Sequence, residues 1–101
     1  MSVSISTHVL DTAAGRPASG VSVELFEAGN GFEKCLASEQ TDENGRVAQL
    51  VDGLAPGRYL LVFHPPSPFF TRVELQVELE SGHHHIPLLV SPYGCASYRG
   101  S

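Results

Sequence analysis

The chain has 101 residues, 42% of them hydrophobic and 17% charged, enough for one modest core and too little for two. A formal net charge of −5 argues against a nucleic-acid binder, which needs a basic footprint. No apolar run approaches the ~18 residues that cross a bilayer, and the hydrophobic content is too high for a disordered chain.

A single domain over residues 1–101 is therefore expected. Its two cysteines, Cys35 and Cys95, are too sparse for a secreted disulfide framework. The first five residues carry neither a basic n-region nor an apolar h-region. The expectation is a cytoplasmic protein with free thiols.

The dominant period is two. Val3, Ile5, Thr7 and Val9 alternate with Ser4, Ser6 and His8, the pattern of a half-buried strand. The turn 14–17 follows, and then Val21, Val23 and Leu25 alternate with Ser22, Glu24 and Phe26. Residues 32–40 show no convincing helical period, and the turns Asn30-Gly31 and Asn44-Gly45 bracket them; both pairs supply the positive φ that tight reversals need. Residues 59–63 are a continuous apolar run, as in a strand covered on both faces. Pro65-Pro66-Ser67-Pro68 is a stiff connector, with Phe69 and Phe70 expected to anchor it to the core. In 71–79, Val73, Leu75, Val77 and Leu79 face one way and Arg72, Glu74, Gln76 and Glu78 the other, the mark of an antiparallel sheet with one wet face. The run 86–90 is again apolar, and Pro87 within it predicts an edge position or a bulge. Seven or eight short strands with frequent turns predict a β-sandwich.

Three features stand out as chemistry. His8 sits on the polar parity of the first strand. His83-His84-His85 directly precedes the run 86–90, and alternation puts His83 and His85 on one face. Arg46 follows the Asn44-Gly45 turn. On spacing alone the histidines read first as solvated imidazoles at a strand entrance. Acid–base chemistry by His85 with His8 ranks second, and a metal site third, because zinc asks for further ligands. Arg46 reads first as a solvated turn charge and second as a fixed cation for an anionic planar ligand or an oxyanion. Each cysteine is most simply a small hydrophobe, and a carboxy-terminal Ser101 is ordinarily frayed. No nucleophile elbow, phosphate loop or dinucleotide fingerprint is present.

Taken together, four separated motifs resemble those of the transthyretin-like family. They are Ser6-Thr7-His8-Val9-Leu10-Asp11 with Gly15-Arg16-Pro17-Ala18-Ser19-Gly20-Val21, then Thr41-Asp42-Glu43-Asn44-Gly45-Arg46, then the block 83–94, and finally Tyr98-Arg99-Gly100-Ser101. The last tetrapeptide resembles the mark of the 5-hydroxyisourate hydrolase branch.

The resemblance implies a sandwich of two four-stranded sheets, assembled as a homotetramer. The implied activity is hydrolysis of 5-hydroxyisourate, in urate degradation, to 2-oxo-4-hydroxy-4-carboxy-5-ureidoimidazoline. By motif it implies His8, Arg46, His85 and Ser101 as catalytic residues, Tyr98, Arg99 and Gly100 as substrate-binding residues, and no metal or other cofactor. No nucleic-acid or membrane partner is expected. Three departures accompany it. His84 and Cys95 stand where the family usually has tyrosine. The connector 64–70 is short, so the family's short helix is expected to be lost. The competing function is a non-enzymatic carrier of a small aromatic ligand, and a metal-binding sandwich ranks behind it.

Overall fold

The computed structural model describes residues 2–28 and 34–100. Ten strands account for most of them: β1 Val3–Asp11, β2 Arg16–Pro17, β3 Ser22–Glu27, β4 Cys35–Gln40, β5 Arg46–Leu54, β6 Gly57–His64, β7 Val73–Leu79, β8 Gly82–His85, β9 Leu88–Ser91 and β10 Gly94–Ser97. Among the described residues there is no helix, so none is long and apolar enough to cross a membrane. The connector 64–70 carries no helix either, in keeping with its shortness. The Asn30-Gly31 turn and the start of 32–40 lie outside the described residues, whereas the remainder of that segment is β4.

One sheet runs β4-β3-β6-β7, antiparallel throughout. The other is built around β1. Along one edge β1 pairs in parallel with β8 and then β9, and β10 flanks β9; along the other it pairs antiparallel with β5 and, at its end, with β2. Counting β8 with β9 and β5 with β2 as successive partners along one edge gives two four-stranded layers.

The alternation expected for 3–9 and 71–79 is observed. Val3, Ile5, Thr7 and Val9 are buried, and β7 alternates half-buried and exposed positions. Five consecutive residues of β6, Tyr59 to Phe63, are buried. Tyr59, Leu61 and Phe63 enter the core. Leu60 and Val62 face the other way, and Val62 lies in register between Glu24 and Glu74, whose aliphatic stems flank it.

Two expectations are corrected. Phe69 does not anchor the connector to the core: it is 64% exposed and meets Phe70 and Tyr93 edge to face. Ser67 does the tying instead, since its hydroxyl donates to the Pro92 carbonyl and accepts from the Phe69 and Phe70 amides. For Pro87 only the bulge is excluded; the edge position stands. The offset to β1 is the same on both sides of it, Ser6 with His85 and Val9 with Leu88. Ile86 donates to the Ser6 carbonyl and accepts from Thr7 Oγ1. The Pro87 carbonyl turns to the far side, accepting from Ser97 Oγ. Its missing N–H thus falls on the side away from β1, where no bond to that strand is lost.

Candidate active site

β1 brings the polar parity Ser4, Ser6 and His8 to one face of its sheet. Residues in register share a face, so His83 beside Ser4, His85 beside Ser6 and Arg46 beside His8 project from the same side. Residues 75 positions or more apart in sequence converge because β1 takes a parallel neighbour on one edge and an antiparallel one on the other.

The turn 42–46 fixes the Arg46 end. Asp42 Oδ1 accepts the amides of Asn44 at 2.9 Å and Arg46 at 3.0 Å, and Gly45 N donates to Asp42 O at 2.9 Å. The Arg46 amide is the leading cause holding the Asp42 carboxyl below its ordinary value, since the bond favours the ionised form. Gly45 has φ 73°, and its carbonyl accepts the Val9 amide at 2.7 Å. A Cβ here would stand 2.5 Å from the Val9 oxygen, so both the dihedral and the close approach require glycine. Just before the turn, buried Thr41 donates to Ala18 O and accepts from Val21 N.

His8 Nε2 lies 2.9 Å from the Asn44 carbonyl. A carbonyl only accepts, so Nε2 carries a proton, and Nδ1 is left outside this bond. The His85 imidazole is held below its ordinary pKa of 6.5, first by burial and then by the charges of Arg46, His8 and His83. It is therefore neutral at pH 7, with basic character available.

Gly100 closes the His85 end. Its amide donates to the His85 carbonyl at 2.8 Å, and a Cβ on it would stand 2.8 Å from His85 Cδ2 and 2.9 Å from His85 O. Ser101 lies outside the described residues. Tyr98 and Arg99 line a cleft of about 650 Å³ with Glu74, Leu79, His84 and Ile86. That cleft is on the side of β8 opposite His85, because His84 and Ile86 have the other parity. His84 is buried there, its Nε2 donating to the Glu80 carbonyl at 2.7 Å.

The structure thus gathers His8, Arg46 and His85 on one face, docks Gly100 on His85, and directs Tyr98 and Arg99 toward β7. Among the described residues no group of three or more His, Cys, Asp or Glu is placed to hold a metal ion. Four supporting residues escaped the sequence reading: Ser4 and Ser6, which read only as polar spacers, and Thr41 and Asp42, whose only signal was a place inside a turn motif.

A family model described as HIUase/Transthyretin matches residues 5–100. The chain belongs to that family. It is 38% identical over 114 residues to "5-hydroxyisourate hydrolase 2" of Rhizobium meliloti, covering 96% of this chain and 95% of the relative. The solved structure of Klebsiella pneumoniae 5-hydroxyisourate hydrolase superposes with a TM-score of 0.86 at 35% identity, covering 98% of this chain and 99% of that one. Sea bream transthyretin in complex with thyroxine shares the fold, with a TM-score of 0.84 at 21% identity, covering 95% of this chain and 93% of that one.

Proposed function

We propose that this protein hydrolyses 5-hydroxyisourate, opening the six-membered ring at a C–N bond to give 2-oxo-4-hydroxy-4-carboxy-5-ureidoimidazoline. The observation that carries the reading is the convergence of a neutral His85, a turn-held His8 and Arg46 on one sheet face, in a chain whose near-full-length relatives bear that hydrolase name.

His85 takes the proton of the attacking water and returns it to the departing ring nitrogen. His8, with Nε2 committed to Asn44, offers Nδ1 to orient the water. Arg46 lays its planar fork on the substrate carbonyl and steadies the oxyanion of the tetrahedral intermediate. Ser101 supplies its hydroxyl to the substrate or to a histidine. Gly100 holds the segment 98–100 against His85, and Tyr98 and Arg99 anchor that segment from the opposite side of β8.

The domain spanning 1–101 works as a homotetramer, and the free thiols of Cys35 and Cys95 suit a cytoplasmic setting.

The test uses untagged protein, so that no added chain stands beside Ser101. Urate oxidase generates 5-hydroxyisourate in situ, and its ultraviolet decay is followed with and without the chain. Fast decay that falls by roughly 10²–10⁴ in His8→Ala, Arg46→Ala and His85→Ala, with the fold intact by circular dichroism, supports the reading. Decay at the spontaneous rate from folded wild-type protein refutes it and favours a carrier.

A further inference from the structure

His83 is exposed and has no place in the mechanism above, yet it is bonded on both ring nitrogens. Nδ1 lies 2.7 Å from Ser4 Oγ and Nε2 lies 2.8 Å from Ser6 Oγ; Ser6 Oγ in turn lies 2.8 Å from His85 Nδ1. Four polar groups from β1 and β8 form one unbroken line that ends on the His85 ring.

The single proton of Ser6 makes this line directional. A hydroxyl donates once, so a Ser6 that spends its proton within the line donates to one histidine and accepts from the other. Ser6 can also accept from both rings, which leaves His85 Nε2 bare but passes no proton; with both rings neutral, two arrangements carry a proton along the line. In one, His85 Nδ1–H donates to Ser6, Ser6 to His83 Nε2, and His83 Nδ1–H to Ser4, which leaves His85 Nε2 bare. In the other, every bond is reversed and His85 Nε2 carries the proton. Nδ1 is occupied by Ser6, so Nε2 is the nitrogen free to face the site, where the Arg46 charge bears on His85. A cation prefers a lone pair to an N–H dipole, which selects the first arrangement.

The geometry assigns Ser6 and His83 as positioning residues that set the tautomer of His85 and hold the proton it removes from water; this rests on the hydrolase reading above. The protons balance without a further reactant. His85 Nε2 accepts the water proton as the hydroxide adds to the substrate carbonyl. His85 then passes its Nδ1 proton to Ser6 Oγ while Ser6 passes its own to His83 Nε2. His85 is neutral again with the proton on Nε2, and His83, protonated on both nitrogens, carries the charge at the exposed end of the line. When the C–N bond breaks, His85 Nε2–H protonates the departing nitrogen, and the line runs backward to its first state. The charge is thereby moved one ring away from Arg46 while the tetrahedral intermediate exists.

Two measurements test this. Ring ¹⁵N spectra at a pH where His85 is neutral read its tautomer without any substrate, so they decide the assignment even if turnover fails. Nε2 bare in wild type, with a protonated fraction that rises in Ser6→Ala where the Arg46 charge alone still favours the bare form, is the expected result; Nε2 already protonated in wild type overturns it. In the turnover assay, Ser6→Ala and His83→Gln are each expected to lower kcat at least about tenfold with KM within about twofold. The double variant should be no slower than either alone, because the two act in series. A wild-type kcat in His83→Gln, whose exposed site leaves the fold intact, or losses that multiply in the double variant, would overturn the relay.

Discussion

Gly45→Ala tests how far the site depends on one turn. Glycine there has φ 73°, and an added Cβ would meet Val9 O at 2.5 Å, Pro17 Cβ at 2.9 Å and Ala18 N at 3.1 Å. These are backbone or ring atoms that cannot swing away. Alanine in the left-handed region costs ~1–2 kcal/mol. Relieving the overlap lengthens the Val9 N–Gly45 O bond, a loss of about 1 kcal/mol, and displaces packed chain at about 1 kcal/mol more. The sum is about 3 kcal/mol or more, which for a domain of this size lowers Tm by roughly 12 °C or more. Gly15 and Gly20 have nearly the same φ, 69° and 72°, with nothing within 4 Å of an added Cβ. Alanine there carries the dihedral cost alone, a fall of roughly 4–16 °C. Thermal unfolding of the three variants at one protein concentration separates the two terms. An equal fall at Gly45 and Gly15 would refute the close-approach argument.

Other perturbations act at single links of the same site. Gly100→Ala pushes on His85 Cδ2 and its carbonyl from the last turn of chain, so kcat should fall at least about tenfold while Tm changes by only a few degrees; unchanged turnover would show that the His85 ring is not held from this side. Thr41→Val keeps shape but strands Ala18 O and Val21 N, at a cost of about 2–3 kcal/mol, seen as a lower urea midpoint with unchanged slope. His85 should titrate below 6.5 by NMR, and Arg46→Gln, which removes a neighbouring positive charge, should move that midpoint upward. The sign follows for stability. A histidine whose folded pKa is depressed binds fewer protons folded than unfolded, so its cost is absent well above pH 6.5 and grows as pH falls through 6.5. A midpoint that moves downward in Arg46→Gln would contradict the placement of that charge.

How much of this was legible in the sequence depended on where parity survives. β1 and β7 keep a strict two-residue alternation, and both were read with the correct buried face. β5 was not read as a strand beyond its first residue, and the reason is geometric. Its register against β1 slips between Val3 and Ile5 and again between Ile5 and Thr7. Its buried residues Val47 and Leu50 therefore stand three apart instead of two. β2 is two exposed residues and has no hydrophobic signature at all. Phe69 was misplaced because aromatic character was taken for burial, whereas a single serine hydroxyl satisfies that connector.

The site shows the same division. Arg46, His8 and His85 stood out as charged or titratable residues at turns and strand ends. That the three meet depends on β1 pairing in parallel with β8, a long-range choice with no local sequence signal. Ser6 is the sharper case. On composition it is a spacer on the wet parity of a strand, yet the parallel register sets it between two imidazoles at 2.8 Å from each. In an antiparallel pairing, residues 83 and 85 would still share a face, but their order along β1 would be reversed. Ser4 would then lie beside His85, and the line from Ser4 through His83 and Ser6 to His85 would not exist. Strand direction, set by a crossover of some seventy residues, therefore decides which hydroxyl reaches His85.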